Sequence, residues 1–249
     1  MTPLMLAIAA AIGVSLGLLG AGGAIVAVPA FVYIGGIPPE LADGYALFVV
    51  TISSAIAVGM QWSQRLIAWR TIAWFGPSTI LSLIAVRGYL DQFVPQRVQM
   101  IFFGIILLVA ALAMMRGRKT APSDTHELHP LRLSAFGIVI GAIGGLLGVG
   151  GGFLITPALA IWAGLDMKRA VASSLVLISV NSFTGVMVDM ADGMRYDWPY
   201  VLTFTAVATA GIITGTLLSR RIDNTVLRAA FGWVVLAIGC VVLGIELFA

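Results

Sequence analysis

Ten residues, GAGGAIVAVP at Gly20–Pro29, come back 128 positions later as GVGGGFLITP at Gly148–Pro157. Laying residues 13–60 over 141–188 without a gap gives 14 identities in 48 positions. They include Gly13 over Gly141, Gly17–Gly20 over Gly145–Gly148, Gly22-Gly23 over Gly150-Gly151, and Pro29-Ala30 over Pro157-Ala158. The same offset carries Phe103-Gly104 onto Phe231-Gly232, so one half of the chain copies the other. Glycine clusters beside proline interrupt helices, yet both copies sit inside apolar runs. In lipid an unsatisfied backbone group costs several kcal/mol, so such a break is tolerated only where protein or a watery cavity covers it. The two breaks therefore constrain the fold and mark the first place to look for function.

Composition explains the apolar setting. Of 249 residues, 60% are hydrophobic and 10% charged, against about 25% charged in a soluble domain. This is the balance of an all-α, multi-pass membrane protein. The formal charge of +3 does not indicate a nucleic-acid partner, because the basic residues are scattered one or two at a time between apolar runs. The single cysteine, Cys240, excludes a disulfide, a Cys/His metal set and a thiol relay. Both histidines, His126 and His129, fall in a polar connector and are read as solvated. The opening MTPLMLAIAAAIG lacks a positively charged stretch and reads as a retained membrane segment.

Each half follows one plan. The first broken run covers Pro3–Gly35, followed by spanning runs at Leu41–Gln61, Ala68–Val86 and Val98–Met115. The second covers Leu133–Ala163, followed by Ala170–Val188, Trp198–Leu218 and Val226–Leu247. Residues 1–115 and 133–249 are thus two membrane repeats, and 116–132 is the linker. Basic residues decide their relative orientation. If each broken run crosses once, the 14 Lys and Arg divide seven to seven. If each broken run enters and returns to one side, eleven lie inside, and only Arg87, Arg97 and Arg195 lie outside. The positive-inside rule selects the second arrangement. Five segments per repeat invert the second copy relative to the first, placing the linker in the cytoplasm and both termini outside. The host bilayer is then a cytoplasmic, or inner, membrane.

Inverted repeats with broken segments put a site near the bilayer midplane. A short helix is expected to start at Ala24 and another at Gly152 or Phe153. Its first N–H groups have no intrahelical partner, and glycine lets an anion approach them closely. The candidate binding positions are therefore Gly20, Gly22, Gly23 and Ala24 with Gly148, Gly150, Gly151 and Gly152. Pro29 and Pro157 bend the short helices by removing a donor. Ser53-Ser54 and Asn181-Ser182 occupy matched places and offer uncharged hydrogen-bonding groups. Thr51, Ser173, Ser174, Ser179 and Thr184 are of the same kind, and bonding to a neighbouring helix or carbonyl accounts for Ser173, Ser174 and Ser179. Arg87, Asp189, Gln61-Trp62 and Arg65 lie near run ends. Snorkelling or interface pairing explains them, although Gln61-Trp62 and Arg65 could also receive a substrate. Trp69 and Trp198 read as interface anchors.

GLLGAGGAIVAVPAF, GGLLGVGGGFLITPAL and the NSFTG stretch resemble the sulfite exporter TauE/SafE family of membrane permeases, over essentially the whole chain. The resemblance implies export of sulfite or a related organosulfonate. It places the duplicated glycines, Pro29, Pro157 and Asn181-Ser182 in the family's motifs. Ser53-Ser54 departs from the Asn-Ser pair found in the second repeat. The expected function is a secondary transporter of a small anion, with no cofactor and no metal. An anion channel and a non-catalytic assembly protein are the alternatives. An enzyme is disfavoured because no His/Asp/Glu/Cys cluster falls inside the apolar runs.

In a Cys240→Ser background, single cysteines at Ser123 and Asp192 should react with impermeant reagent from opposite faces, Asp192 from outside. Labelling of both from one face of intact cells would overturn the inverted arrangement.

Overall fold

The computed structural model describes residues 1–20, 24–62, 64–89, 96–115, 130–146 and 152–248. In the first half these form α1 (Pro3–Leu19), α2 (Ala24–Pro29), α3 (Pro39–Trp62), α4 (Trp69–Tyr89) and α5 (Gln96–Met115). In the second half they form α6 (Pro130–Leu146), α7 (Gly152–Ile161), α8 (Met167–Ala191), α9 (Trp198–Ser219) and α10 (Asn224–Phe248). No strand occurs among the described residues. Five helical stretches are long and apolar enough to cross a membrane: Leu41–Trp62, Arg97–Met115, Met167–Ala191, Trp198–Ser219 and Asn224–Gly244. The sixth expected span, α4, has the length at 21 residues. It is more polar, carrying Arg70, Thr71, Ser78, Thr79 and Ser82 along with Pro77. The chain is a polytopic helical membrane protein.

Local chemistry sets the boundaries. Thr2 caps α1 through Met5 N–H, Asp166 caps α8 through Arg169 N–H, and Asp197 caps α9 through Tyr200 N–H. α2 passes at Pro29 into a π-helical turn, Ala30–Ile34, the shifted register common at functional sites. Both return arms close alike. Gly35 N–H bonds the Ala30 carbonyl and Ile37 N–H that of Phe31, matched by Ala163 to Ala158 and Leu165 to Leu159. Each turn needs one left-handed glycine, Gly36 at φ 63° and Gly164 at φ 67°.

Helix directions follow from the contacts. Gly13 faces Ala208 and Gly17 faces Ile212 and Thr216, so α1 and α9 run the same way. Ser53 lies beside Thr209, and Arg220 donates to the Met60 carbonyl, giving α3 that direction too. Since α1 and α3 are co-directional, the arm between them, through α2, returns to the starting side. In the second half, Ser134 bonds the Trp74 carbonyl and Ser82 that of Ile138, so α6 runs with α4. Ala68 N–H bonds Ser173 and Gly76 faces Leu177, so α8 does as well, and α7 lies on the return. Each broken run is thus a hairpin.

Exchanging the halves leaves the pairings intact. α1 packs on α9 as α6 packs on α4, while α3 pairs with α8 and α5 with α10. The last two pairs are antiparallel. Leu47 meets Gly185 and Gly44 meets Met194; Leu243 meets Gly104 and Met115 meets Gly232. One detail departs from the 128-residue offset. Gly13 abuts Ala208 and its counterpart Gly141 abuts Thr79, so α4 and α9 correspond with one extra residue. On that register, Asp197 N–H to Tyr45 Oη (3.0 Å) is the counterpart of Ala68 N–H to Ser173 Oγ (2.9 Å).

At these crossings glycine has no substitute. A Cβ on Gly13, Gly17 or Gly141 would collide with backbone of the facing helix, whereas one on Gly59 or Gly244 would meet nothing within 4 Å. Gly13→Val and Gly141→Val should each cost roughly 1–3 kcal/mol or more by overpacking, while Gly59→Ala should be neutral or stabilising. Thermal midpoints of the purified proteins in detergent check this.

Candidate functional site

The chain leaves α1 through Gly20 at φ 66° and ψ −125°, a region that side chains avoid. A Cβ there would stand 2.8 Å from Ser174 Oγ, 3.2 Å from Thr156 Oγ1 and 3.3 Å from Val171 Cγ1. The end of the first break therefore presses on α7 and α8, elements of the other half, and α2 itself touches α7. Thr156 Oγ1 donates to Ser174 Oγ at 2.8 Å, and Ser174 Oγ donates to the Val171 carbonyl at 2.9 Å. Both side chains are fully buried.

Asn181 lies seven residues beyond Ser174, two turns along the same face of α8. It is 1% exposed, and neither Nδ2 nor Oδ1 has a partner. Counted along the antiparallel register of α3 and α8 from the Leu47–Gly185 contact, Ser53-Ser54 fall within about one turn of Asn181-Ser182. All four residues are buried. Ser53 Oγ stands 3.4 Å from Thr209 Oγ1, and Ser54 Oγ donates to the Val50 carbonyl. The predicted side chains on α3 and α8 thus lie within about one turn of each other along the interface. Among the described residues this stretch carries no formal charge, and the Asn181 amide has hydrogen-bonding capacity that no neighbour uses.

The glycine positions are reported unevenly. Gly22, Gly23, Gly148, Gly150 and Gly151 lie outside the described residues. Ala24 and Gly152 are the first residues of α2 and α7, as their spacing predicts. Pro29 ends α2 at the π turn and Pro157 lies inside α7. Thr51 and Thr184 bond carbonyls one turn back, at Leu47 and Val180, while Ser173 serves the α4 entrance and Ser174 its own helix. Trp69 and Trp198 are 50% and 42% exposed, placed to meet lipid. Arg65 is exposed in the α3–α4 turn with φ 54°. The Arg87 side chain lies outside the described residues. No group of three or more His, Cys, Asp or Glu able to hold a metal occurs among the described residues.

Sequence reasoning missed two features. Thr156 stands where the first copy has Val28, and this asymmetry within the duplicated motif was the available signal. The second is an aromatic cluster closing one end of the molecule. Phe31 packs on Phe204 with centroids 4.5 Å apart and on Tyr45 at 6.0 Å. Tyr45 stacks on Tyr196 at 5.7 Å, and Tyr196 on Trp198 at 5.4 Å.

Gly20→Ala should lower the thermal midpoint, because a backbone at φ 66° and ψ −125° costs an L-residue roughly 1–3 kcal/mol and the methyl crowds Ser174. Adding Ser174→Gly should restore only part of the loss, since it relieves the crowding and leaves the backbone strain. Full restoration would show that φ at Gly20 is unimportant.

Comparisons with known proteins agree with this architecture. The family described as Sulfite exporter TauE/SafE matches residues 5–242. A "Probable membrane transporter protein" of Xylella fastidiosa is 32% identical over 249 aligned residues, covering 93% of this chain and 91% of the relative. The "Probable membrane transporter protein YunE" of Bacillus subtilis is 25% identical, covering 90% of each. The "Sulfite exporter TauE/SafE family protein 3" of Arabidopsis thaliana is 34% identical over 95 residues, 38% of this chain and 20% of that one. No solved structure matches. With the family match running nearly end to end on a polytopic helical fold, this chain belongs to the sulfite exporter TauE/SafE family.

Proposed function

We propose that this membrane transporter exports a small sulfur oxyanion, sulfite or an organosulfonate, across the cytoplasmic membrane by alternating access. The moving parts are two inverted repeats, residues 1–115 and 133–249, joined by the cytoplasmic linker 116–132. The antiparallel packing of the equivalent pairs α3/α8 and α5/α10 supports inversion, since an axis along the membrane normal would make equivalent helices parallel. Hairpin closure of both broken runs supports the arrangement with eleven basic residues inside and both termini outside.

The observation that carries the binding reading is Asn181, a buried carboxamide with donor and acceptor both unpaired. Leaving such a group unsatisfied costs about 1–3 kcal/mol, and a ligand or water that fills the level relieves it. Oxyanion oxygens accept from Nδ2, since the Thr51 and Ser54 hydroxyl protons are already given to the Leu47 and Val50 carbonyls. In this reading the remaining donors are backbone N–H groups of the two glycine motifs, with Gly22, Gly23, Gly150 and Gly151 as the residues the sequence proposes. Thr156 and Ser174 hold Gly20 against α7, so movement of one hairpin is felt by the other half.

Stability and affinity should part company at Asn181. Asn181→Leu should raise the thermal midpoint of the anion-free protein and abolish stabilisation by added sulfite or sulfoacetate. Asn181→Ala should weaken apparent affinity several-fold, for a bond worth about 1 kcal/mol. Gly22→Val and Gly150→Val, on protein shown to be monodisperse, should abolish flux into proteoliposomes. Wild-type flux in both valine variants, or an Asn181→Leu protein that is less stable yet binds normally, would overturn the site.

A further inference from the structure

We infer that the end of the molecule opposite the aromatic cluster carries a second anion-binding site, a vestibule between the C-terminal ends of α3 and α9 and the start of α8. It rests on the anion-transport reading for its ligand class, a small sulfonate or sulfate-like oxyanion, and for nothing else.

A cavity of about 140 Å³ opens there. Gln61, Thr216, Ser219, Lys168, Arg220 and Val171 are among its lining residues, and no carboxylate lines it among the described residues. Gln61 is 5% exposed and Thr216 1%. Gln61 Nε2 and Thr216 Oγ1 are both buried without a partner. Two inward polar groups left unsatisfied in one small cavity point to something that fills it.

The charge specifies what that is. Lys168 Nζ bonds the Arg220 carbonyl at 3.2 Å, which uses one of its three donors. The Arg220 guanidinium is fixed by the Met60 carbonyl at 3.0 Å. In the carboxamide orientation that satisfies both groups, the Gln64 oxygen accepts from it at 2.6–3.2 Å. Neither partner neutralises its cation. Two positive charges over neutral donors, without an acidic neighbour in the lining, attract an anion and repel a cation.

Position ties the vestibule to the breaks. Val171 forms part of its wall and also abuts Gly20, while Thr216 backs Gly17. An anion here stands one residue's width from the first break. The sequence excludes a symmetric echo. With the offsets found above, Lys168 and Arg220 correspond to Glu40 and Asp91, and Gln61 to Asp189. Those three matching positions are acidic, although Thr216 corresponds to Arg87, so the cationic pair Lys168 and Arg220 has no counterpart in the other half.

The test reads the vestibule without flux. In full-length Cys240→Ser protein, Ser219→Cys places a half-buried thiol in the lining. Relative to a free thiol in solution, its reaction should favour the anionic methanethiosulfonate ethylsulfonate over the cationic ethyltrimethylammonium analogue by roughly tenfold. Sulfate and sulfoacetate should slow the anionic reagent more than chloride does at equal ionic strength. Lys168→Gln should lower the preference several-fold and Lys168→Arg should keep it. Gln61→Leu should keep the preference but lose protection by sulfate. A reagent preference equal to that of the free thiol, or sulfate protection no greater than that of chloride, overturns the site and leaves the cations as topogenic charges alone. The labelling stands apart from transport: vestibule binding in a protein that moves none of these anions would sink the export reading and keep the site.

Discussion

Everything in this fold depends on two places where backbone meets backbone. At Gly13 and Gly17 of α1 against α9, and at Gly137 and Gly141 of α6 against α4, the helices approach too closely for any Cβ. Lipid tails are as apolar as the side chains they compete with, so such approach, rather than hydrophobic collapse, holds membrane helices together. It also fixes where the helices end. With α1 clamped along α9, Gly20 is delivered into the protein interior against Thr156 and Ser174. Gly20 is thereby kept from lipid, where an unsatisfied backbone group is costly. Close packing and the possibility of a buried polar site are thus one property.

Duplication made the architecture legible. Matched glycines, prolines and the charge count predict two like halves and hairpin breaks, because these depend on short-range backbone chemistry and on counting. Gly36 and Gly164 show how far this reaches: identical residues 128 apart produce identical left-handed turns. Asn181 was recognisable because a carboxamide in an apolar span must answer to something. Thr156 was not singled out, since a threonine before proline has the same local meaning whether or not it faces the other break. The aromatic cluster was illegible for a related reason. Phe31, Tyr45, Tyr196 and Phe204 are spread over residues separated by most of the chain, and only the hairpin topology assembles them. The extra residue that shifts α9 relative to α4 is invisible in an ungapped overlay of the glycine motifs.

The two ends of the molecule have been made from one template for different work. At one end, large rings from the π turn, α3 and α9 fill the space between the halves. At the other, the equivalent elements leave a cavity lined by amide, hydroxyl and cationic groups. Between them lie α3 and α8 at their crossing, with buried serine, threonine and asparagine and no formal charge. An anion passing along this axis would leave a positive mouth, enter a neutral polar level and face a closed aromatic wall.

One pair of equivalent hydrogen bonds gives that asymmetry an energetic meaning. The amide of Asp197 is met by the phenol of Tyr45, while the amide of Ala68, its counterpart, is met by the hydroxyl of Ser173. In the proposed alternating-access cycle, were the two repeats identical, exchanging their conformations would turn an inward-facing molecule into an outward-facing one of the same free energy. The carrier would then rest half in each state. Placing a tyrosine, with its ring stack, where the other repeat has a serine lifts that degeneracy. Each 1.4 kcal/mol of difference shifts the resting populations about tenfold. Under that proposal, the direction a duplicated carrier faces while waiting for its cargo can be written in a few aromatic side chains, away from the proposed binding level.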